Sequence, residues 1–190
     1  MQSSSINSSP PLKPAERLQQ LLPELFNPQP VAGEQFLRLQ LMPNLTIAIA
    51  LSWVEETLLI SPQAVTPIPN MPAHVLGLMS AKGQVFWAIH LTQLLELPVI
   101  LAPSQHYEVV MMRALTAESS QTASGDLFLG LIVPKIRGSI RLSQEEIMSP
   151  KNAVDAGFHP YLSGQITLDG ETILVLSAEA IGLSQASIAG

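Results

Sequence analysis

The sequence predicts an all-β protein, a sandwich or barrel of many short strands, and three observations carry that prediction. Alternating apolar and polar residues recur at single-strand length, as in Leu37-Arg38-Leu39-Gln40-Leu41 and Leu45-Thr46-Ile47-Ala48-Ile49-Ala50-Leu51. Turn-forming residues separate such runs, most plainly at Met42-Pro43-Asn44, Lys82-Gly83 and Asp169-Gly170. Helical periodicity is confined to short pieces.

Residues 1–11 are rich in serine and read as a mobile tail. From Pro14, PAERLQQLLPELF places Leu18, Leu21, Leu22 and Leu25 at helical spacing, with proline in a first-turn position. This predicts a short amphipathic helix that Pro23 kinks or ends, and that docks either on its own domain or on a partner. Asn27-Pro28-Gln29-Pro30 sets it apart, so residues 1–32 form an appendage and 33–185 the domain, with a tail at 186–190.

Leu37 to Leu51 is a β-hairpin, and Val54 to Ile60 a third strand. The proline-rich stretch from Ser61 to Pro72 runs along an edge or as a loop, because proline cannot donate to a central ladder. Val75 to Leu95 is the organising stretch. Its near arm surrounds Gly77, whose missing Cβ suits a bend or a close backbone approach. On its far arm Val85, Trp87, Ile89 and Leu91 share one parity and read as the core face. Between the arms lies Ser80-Ala81-Lys82-Gly83, where Gly83 accepts positive φ and Lys82 projects at the tip, either as a solvated turn lysine or as a presented charge. Thr92 to Leu97 closes the unit with a turn of helix.

The second half repeats this order of elements. Tyr107 to Leu115 is a strand, Thr116 to Asp126 a flexible hairpin loop, and Leu127 to Val133 the returning strand. Ile136 to Leu142 follows with Gly138 as a bulge. Ser143-Gln144-Glu145-Glu146 has capping-box spacing for a very short helix, and Lys151 to Pro160 is loop. Tyr161 to Leu168 and Glu171 to Leu176 flank the Asp169-Gly170 turn, and Ser177 to Leu183 ends in a capped helical turn. No strict sequence repeat accompanies this order, and the simplest division puts a first barrel at 33–90 and a second at 91–170.

At 190 residues the chain suits one sizeable core. Hydrophobic residues make up 47% and charged residues 13%, which excludes disorder for most of it. A net charge of −6 offers no basic field for nucleic acid and suits an anionic lipid surface poorly. No run is long and apolar enough for a membrane helix without prolines breaking it, so no membrane insertion is expected and the protein is read as soluble. The absence of cysteine removes disulfides and thiolate chemistry and fits a reducing cytoplasm. The N-terminus lacks the charge and apolar pattern of a secretory signal.

Residues of chemical interest are few. His74, His90, His106 and His159 stand at no metal-binding spacing, and His90, opposite the core set of its strand, is expected in a groove or at the surface. The Glu55-Glu56 and Glu145-Glu146 pairs point to opposite faces if extended, so neither works as an acid–base pair. No phosphate-binding glycine loop or nucleophile elbow occurs. Accordingly no catalytic residue, cofactor or metal site is assigned. An enzyme with a site assembled from distant residues and a ligand-binding β-barrel remain rivals, and either would need a deep pocket with converging polar groups.

The segment Gly77-Leu78-Met79-Ser80-Ala81-Lys82-Gly83-Gln84-Val85-Phe86 resembles the hairpin signature of CheW-type coupling proteins of chemotaxis, a glycine, an aliphatic residue and a basic-Gly turn before a hydrophobic strand. Ala48 to Glu56, Thr66-Pro67-Ile68-Pro69 with Pro72, Leu129-Gly130-Leu131-Ile132-Val133 and Tyr161-Leu162-Ser163-Gly164 resemble other parts of that family, so the likeness spans Gly33 to Leu183. The family usually has Asn-Leu-Arg-Gly at the hairpin and Asp where His90 and Pro134 stand. Lysine keeps the charge but lacks the planar fork of arginine. The resemblance implies two five-stranded SH3-like barrels about a shared hydrophobic core, and no catalysis. It also implies an adaptor between a chemoreceptor's cytoplasmic tip and the regulatory domain of a CheA-type histidine kinase, in chemotaxis or in pilus-driven or light-directed motility. Val54, Glu56, Gly77, Lys82 and Gly83 would then form or support the partner-binding surface. Val54 also reads simply as a structural strand residue.

Because two prolines separate the N-terminal helix from the domain, deleting residues 1–30 is expected to leave a cooperative thermal melt. A truncated chain that melts without cooperativity would place that helix in the core.

Overall fold

The computed structural model describes residues 33–98, 105–114, 127–150 and 158–185. The N-terminal helix, the 116–126 loop and most of the 151–160 loop lie outside the described residues. The described residues form ten strands: β1 (Glu34–Met42), β2 (Leu45–Ala50), β3 (Val54–Ile60), β4 (Val75–Ala81), β5 (Gln84–His90), β6 (Tyr107–Ala114), β7 (Leu127–Val133), β8 (Lys135–Leu142), β9 (Leu162–Leu168) and β10 (Glu171–Leu176). Two helices follow β5 and β10, namely α1 (Leu91–Leu94) and α2 (Ala178–Gln185). The capping box at Ser143 forms as its spacing predicts, with the Ser143 N–H donating to Glu146 at 2.6 Å.

The strands make two five-stranded sheets, ordered β8-β1-β2-β10-β9 and β3-β6-β7-β5-β4. This corrects the division at residue 90. Each half of the chain places its first hairpin in the sheet of the other half: β1–β2 joins β8, β9 and β10, while β6–β7 joins β3, β4 and β5. The exchange is fastened by two parallel pairings, β5 on β7 with Trp87 opposite Leu129, and β10 on β2 with Leu174 opposite Ile47. Everything else in the sheets is antiparallel.

Three apolar clusters follow from the alternation. Phe36, Ala48, Leu142, Ile166, Ile173 and Val175 fill one face of the first sheet, and Met79, Phe86, Ala88, Val109, Met111 and Ile132 one face of the second. The remaining faces meet in the largest cluster, which draws Leu39, Ile47 and Leu174 from one sheet and Ile89, Val110, Met112 and Leu131 from the other, with Leu91 and Ile181 from the helices. This is the shared core. Burial on both faces explains two corrections. Phe86 and Ala88, on the parity read as outward, are 1% and 0% exposed, while Val85, assigned to the core, is 56% exposed at the turn end of its strand. His90 is buried as well.

The halves resemble each other in detail. The segment after β3 bridges β4 at Thr66 and Leu78, and the segment after β8 bridges β9 at Met148 and Gln165. Gly77 and Gly164 stand just before these bridged residues, and the same interval separates them from the turns Lys82-Gly83 and Asp169-Gly170. Gly77 has φ +140°, and a Cβ there would lie 2.1 Å from the Thr66 carbonyl oxygen, so only glycine lets the crossing segment approach.

Gly77→Ala is therefore expected to destabilise the domain by about 3 kcal/mol, since neither backbone can retreat without losing the bridge. Gly83→Ala, where a Cβ meets nothing within 4 Å, should cost only about 1 kcal/mol, from its positive φ. Urea unfolding of both variants checks the order, and equal costs would show that the Thr66 crossing is pliable.

Candidate functional site

Lys82 and Gly83 form a two-residue turn between β4 and β5, both with positive φ, +49° and +82°. The turn is tighter than the four-residue connection expected, because Ser80 and Ala81 belong to β4 and pair with Val85 and Gln84. β5 is buried on both faces beyond Val85, so the turn stands on a fixed base. Lys82 does not project alone: its Nζ forms an ion pair with Glu56 on β3. The residue expected simply to project at the tip is thus tied to a neighbouring strand. β3 and β4 are the two outer strands of their sheet, so the pair links one edge to the other. The Lys82 side chain is 70% exposed and that of Glu56 23%, and a pair this wet contributes about 0.5–1 kcal/mol.

A bulge in β3 places Val54 opposite Met112 and Glu56 opposite Met111, with Glu55 in between. Glu55 is held by Arg113 of β6, whose Nη2 lies 2.9 Å from its Oε1 and whose guanidinium stands 5.8 Å from the Phe128 ring centre. Val54 is half-buried against the shared core rather than exposed. Gly77 supports the hairpin from its base through the Thr66 crossing. The structure thus brings Glu56, Lys82 and Gly83 together, sets Val54 next along the strand, and assigns Gly77 a backbone role. Sequence reading missed Glu55 with Arg113, and Val85 as an exposed apolar side chain three residues beyond Lys82. Charge pairing across strands leaves no local signal, whereas the position of Val85 beside the turn could have shown that it outruns the core.

The cavities beside these residues are open. One of about 550 Å³ is lined by Ser52, Trp53, Glu55 and Arg113, and another of about 510 Å³ by Thr57, Leu58, Leu59, Glu108, Lys135 and Ile136. Among the described residues no group of three or more His, Asp or Glu is placed to hold a metal ion.

With this geometry in view, comparison with known proteins gives a consistent answer. The CheW-like domain matches residues 35–185. The chain belongs to the CheW-like domain family. Among solved structures it is similar to the scaffolding protein TtCheW from Thermoanaerobacter tengcongensis, at 16% identity and a TM-score of 0.61, over 78% of this chain and 91% of that one. No curated protein sequence matches the chain. As a member of that family the chain is an adaptor rather than an enzyme, and two SH3-like units about a shared core describe its fold.

His90 is a buried titratable side chain at the start of α1. Its Nδ1 accepts from the Gln93 N–H at 3.3 Å, which fixes that nitrogen as an acceptor, so the Thr92 hydroxyl at 2.9 Å donates to it as well. His90 thereby caps α1, as Ser177, whose Oγ accepts from the Ala180 N–H at 3.1 Å, does for α2. Burial holds its imidazole below the ordinary value near 6.5, only partly offset by the hydrogen bond of its own backbone. The unfolded chain therefore takes up this proton near pH 6.5 and the folded chain only at lower pH. Stability should fall as pH drops below about 6.5, until the folded-state pKa is reached. His90→Asn, which keeps a capping acceptor, should flatten that part of the profile of urea midpoint against pH. An unchanged slope would assign the effect to other groups.

Proposed function

We propose that this chain couples the cytoplasmic tip of a methyl-accepting chemoreceptor to the regulatory domain of a CheA-type histidine kinase. It does so in the cytoplasm, recruited to membrane-associated receptor arrays. The observation that carries this reading, beyond family membership, is the fixed two-residue turn that presents Lys82 in an ion pair with Glu56 across two strand edges. Such a pair is a ready exchange site. An incoming carboxylate can take Lys82, an incoming cation can take Glu56, and the two side chains already lie close to the required positions, so little conformational freedom is lost on binding. Val54 and Gly77 support this surface from below and Gly83 lets the turn close. Exposed Val85, beside the turn, supplies apolar area of the kind that polar rims surround in reversible contacts. A role in pilus-driven or light-directed motility is favoured by the departures at the hairpin, Ser80-Ala81-Lys82 for Asn-Leu-Arg, because the planar fork of arginine is not available to the partner.

The test separates binding from folding. Lys82→Glu places two carboxylates together, and is expected to lower stability by about 1 kcal/mol while costing several kcal/mol in binding, enough to abolish a micromolar complex. The doubly exchanged variant, Glu56→Lys with Lys82→Glu, restores an internal ion pair of inverted sense. If a partner reads these charges, the exchanged variant regains stability but not affinity. Titration of the kinase regulatory domain and of the receptor tip, separately, alongside melting curves, measures both. Full affinity for both partners in Lys82→Glu would remove this turn from the interface.

A further inference from the structure

The likeness of the two halves makes one difference between them visible. β1 and β6 correspond, because Leu39 lies opposite Ile136 just as Met112 lies opposite Val54, each beside the same bulge, where Arg137 and Glu55 are passed over. β10 and β5 correspond through their turns, Asp169-Gly170 and Lys82-Gly83, and through the bridges to their partner strands. Glu34 therefore stands where the other half has Tyr107, Ser163 where it has Leu76, Ser177 where it has His90, and Ala178 where it has Leu91. Tyr107 and Leu76 pack onto the apolar cluster of their sheet, and His90 and Leu91 are buried. That end of the second sheet is filled. The smaller side chains of the first sheet leave a cavity of about 220 Å³, with Phe36 and Val175 lining it as well.

Negative charge at this cavity is unmatched. Glu34 and Glu179 both line it, and among the described residues neither has an ion pair. The Glu34 carboxylate accepts the Ser52 hydroxyl at 2.7 Å, and half-buried Trp53 supplies one wall. α2 begins here, and a helix N-terminus carries about half a positive charge. Ser177 already accepts the Ala180 N–H there, so two whole carboxylate charges outweigh it. A cavity this small is narrower than the ~10 Å over which salt screens charge, so both carboxylates act on whatever enters. Their complement is a cation on an apolar stem that can lie against an aromatic ring, which describes an arginine or lysine side chain. The volume also favours a side chain over a free ligand, since small-molecule sites usually enclose at least ~300 Å³.

We propose that this cavity receives one cationic side chain, arginine before lysine, from an extended segment of another protein. A planar guanidinium offers more donors to carboxylates than an ammonium does, and stacks better on an indole. Trp53 also walls the open cavity of about 550 Å³ beside Glu55 and Arg113, which leaves room for the main chain that carries the arginine. A second copy of the chain is a poor source, because Lys82, Arg113 and Lys135 are paired internally. The net charge of −6 favours encounter with a basic segment, and the cavity supplies the selectivity.

The full chain has two tryptophans, so in nuclear magnetic resonance its indole N–H signals report separately on the cavity, through Trp53, and on β5, through Trp87. Titration with a capped Ser-Ser-Arg-Ser-Ser peptide should shift Trp53 and leave Trp87 nearly still. The Lys counterpart should bind more weakly, and the Gln counterpart should shift neither. Glu34→Gln and Glu179→Gln, both exposed substitutions, should each weaken binding of the Arg peptide by about tenfold. Asp169→Asn, at the opposite end of β10, should bind as the natural chain does. Ser163→Leu, which copies the filled half, should abolish binding without lowering Tm, and if it fails to fold the two Gln variants decide. The proposal is overturned if Trp53 does not move, if the Gln peptide binds equally, if both Gln variants keep full affinity, or if Asp169→Asn loses as much as they do. Trp53 shifts that follow protein concentration without peptide would give the place to a second copy, and overturn it too.

Discussion

The shared core is the constraint on which the rest of the structure depends, and it exists because the two halves exchange their first hairpins. A half that kept its own hairpin would still make a five-stranded sheet, but would not be tied to the other half through covalent crossings. With the exchange, the hairpins β1–β2 and β6–β7 each lie between strands of the opposite half, and the chain passes between sheets at Leu51–Trp53 and at Pro134. At the second crossing Glu108 of β6 accepts from the Ile136 N–H and pairs with Lys135, so the passage itself is held by a partly buried carboxylate. Apolar burial across this core supplies stability without fixed direction, and the two parallel pairings supply register.

That arrangement accounts for where binding chemistry can stand. The middle of the domain is apolar on every strand face that meets the core, and the chain carries few charges to spend elsewhere. Ion pairs among the described residues therefore gather at strand ends and bulges: Lys82 with Glu56, Arg113 with Glu55, Lys135 with Glu108. A bulge frees one side chain from the strict alternation of the strand, and in β3 it lets Glu55 and Glu56 reach two different cations. An adaptor has no need of a deep pocket. It needs rigid ends that another surface can meet, and the anchored turns of the two sheets are such ends.

Much of the fold was legible because its turns carry their own chemistry. Asp169-Gly170 and Lys82-Gly83 announce two-residue hairpins, Gly138 marks its bulge, and Ser143 with Glu146 closes a capping box, all from interactions within a few residues. What stayed illegible depends on distant partners. The exchange of hairpins is written only in the pairings of β5 with β7 and β10 with β2, which join residues far apart in sequence. Period-2 reading assumes one dry face, so it assigned Phe86 and Ala88 outward and Val85 inward, whereas β5 is packed from both sides and Val85 lies past the end of the packing. His90 was misplaced for the same reason, since a polar residue on the supposed outer face turned out to cap a buried helix. Of the candidate site, the turn and its lysine were plain, but the partner of that lysine was not.

The conformation of Lys82 bears on why a lysine stands there at all. The first position of this turn requires φ near +49°, a region where Asn, Asp and Gly rest easily and a long unbranched side chain costs about 1 kcal/mol. The equivalent turn answers the same requirement with Asp169, at φ +52°. The ion pair with Glu56 offsets the cost of lysine by a similar amount at best, because the ammonium is mostly in water. Within the free protein, then, lysine gains almost nothing over asparagine at this place. A residue held in a costly conformation with no net return to the fold is characteristic of functional positions, and in the proposed function the return comes from the partner that meets the exposed ammonium. This favours reading Lys82 as a presented charge over reading it as an ordinary solvated one, and it does so from the backbone of the turn and the exposure of its ion pair.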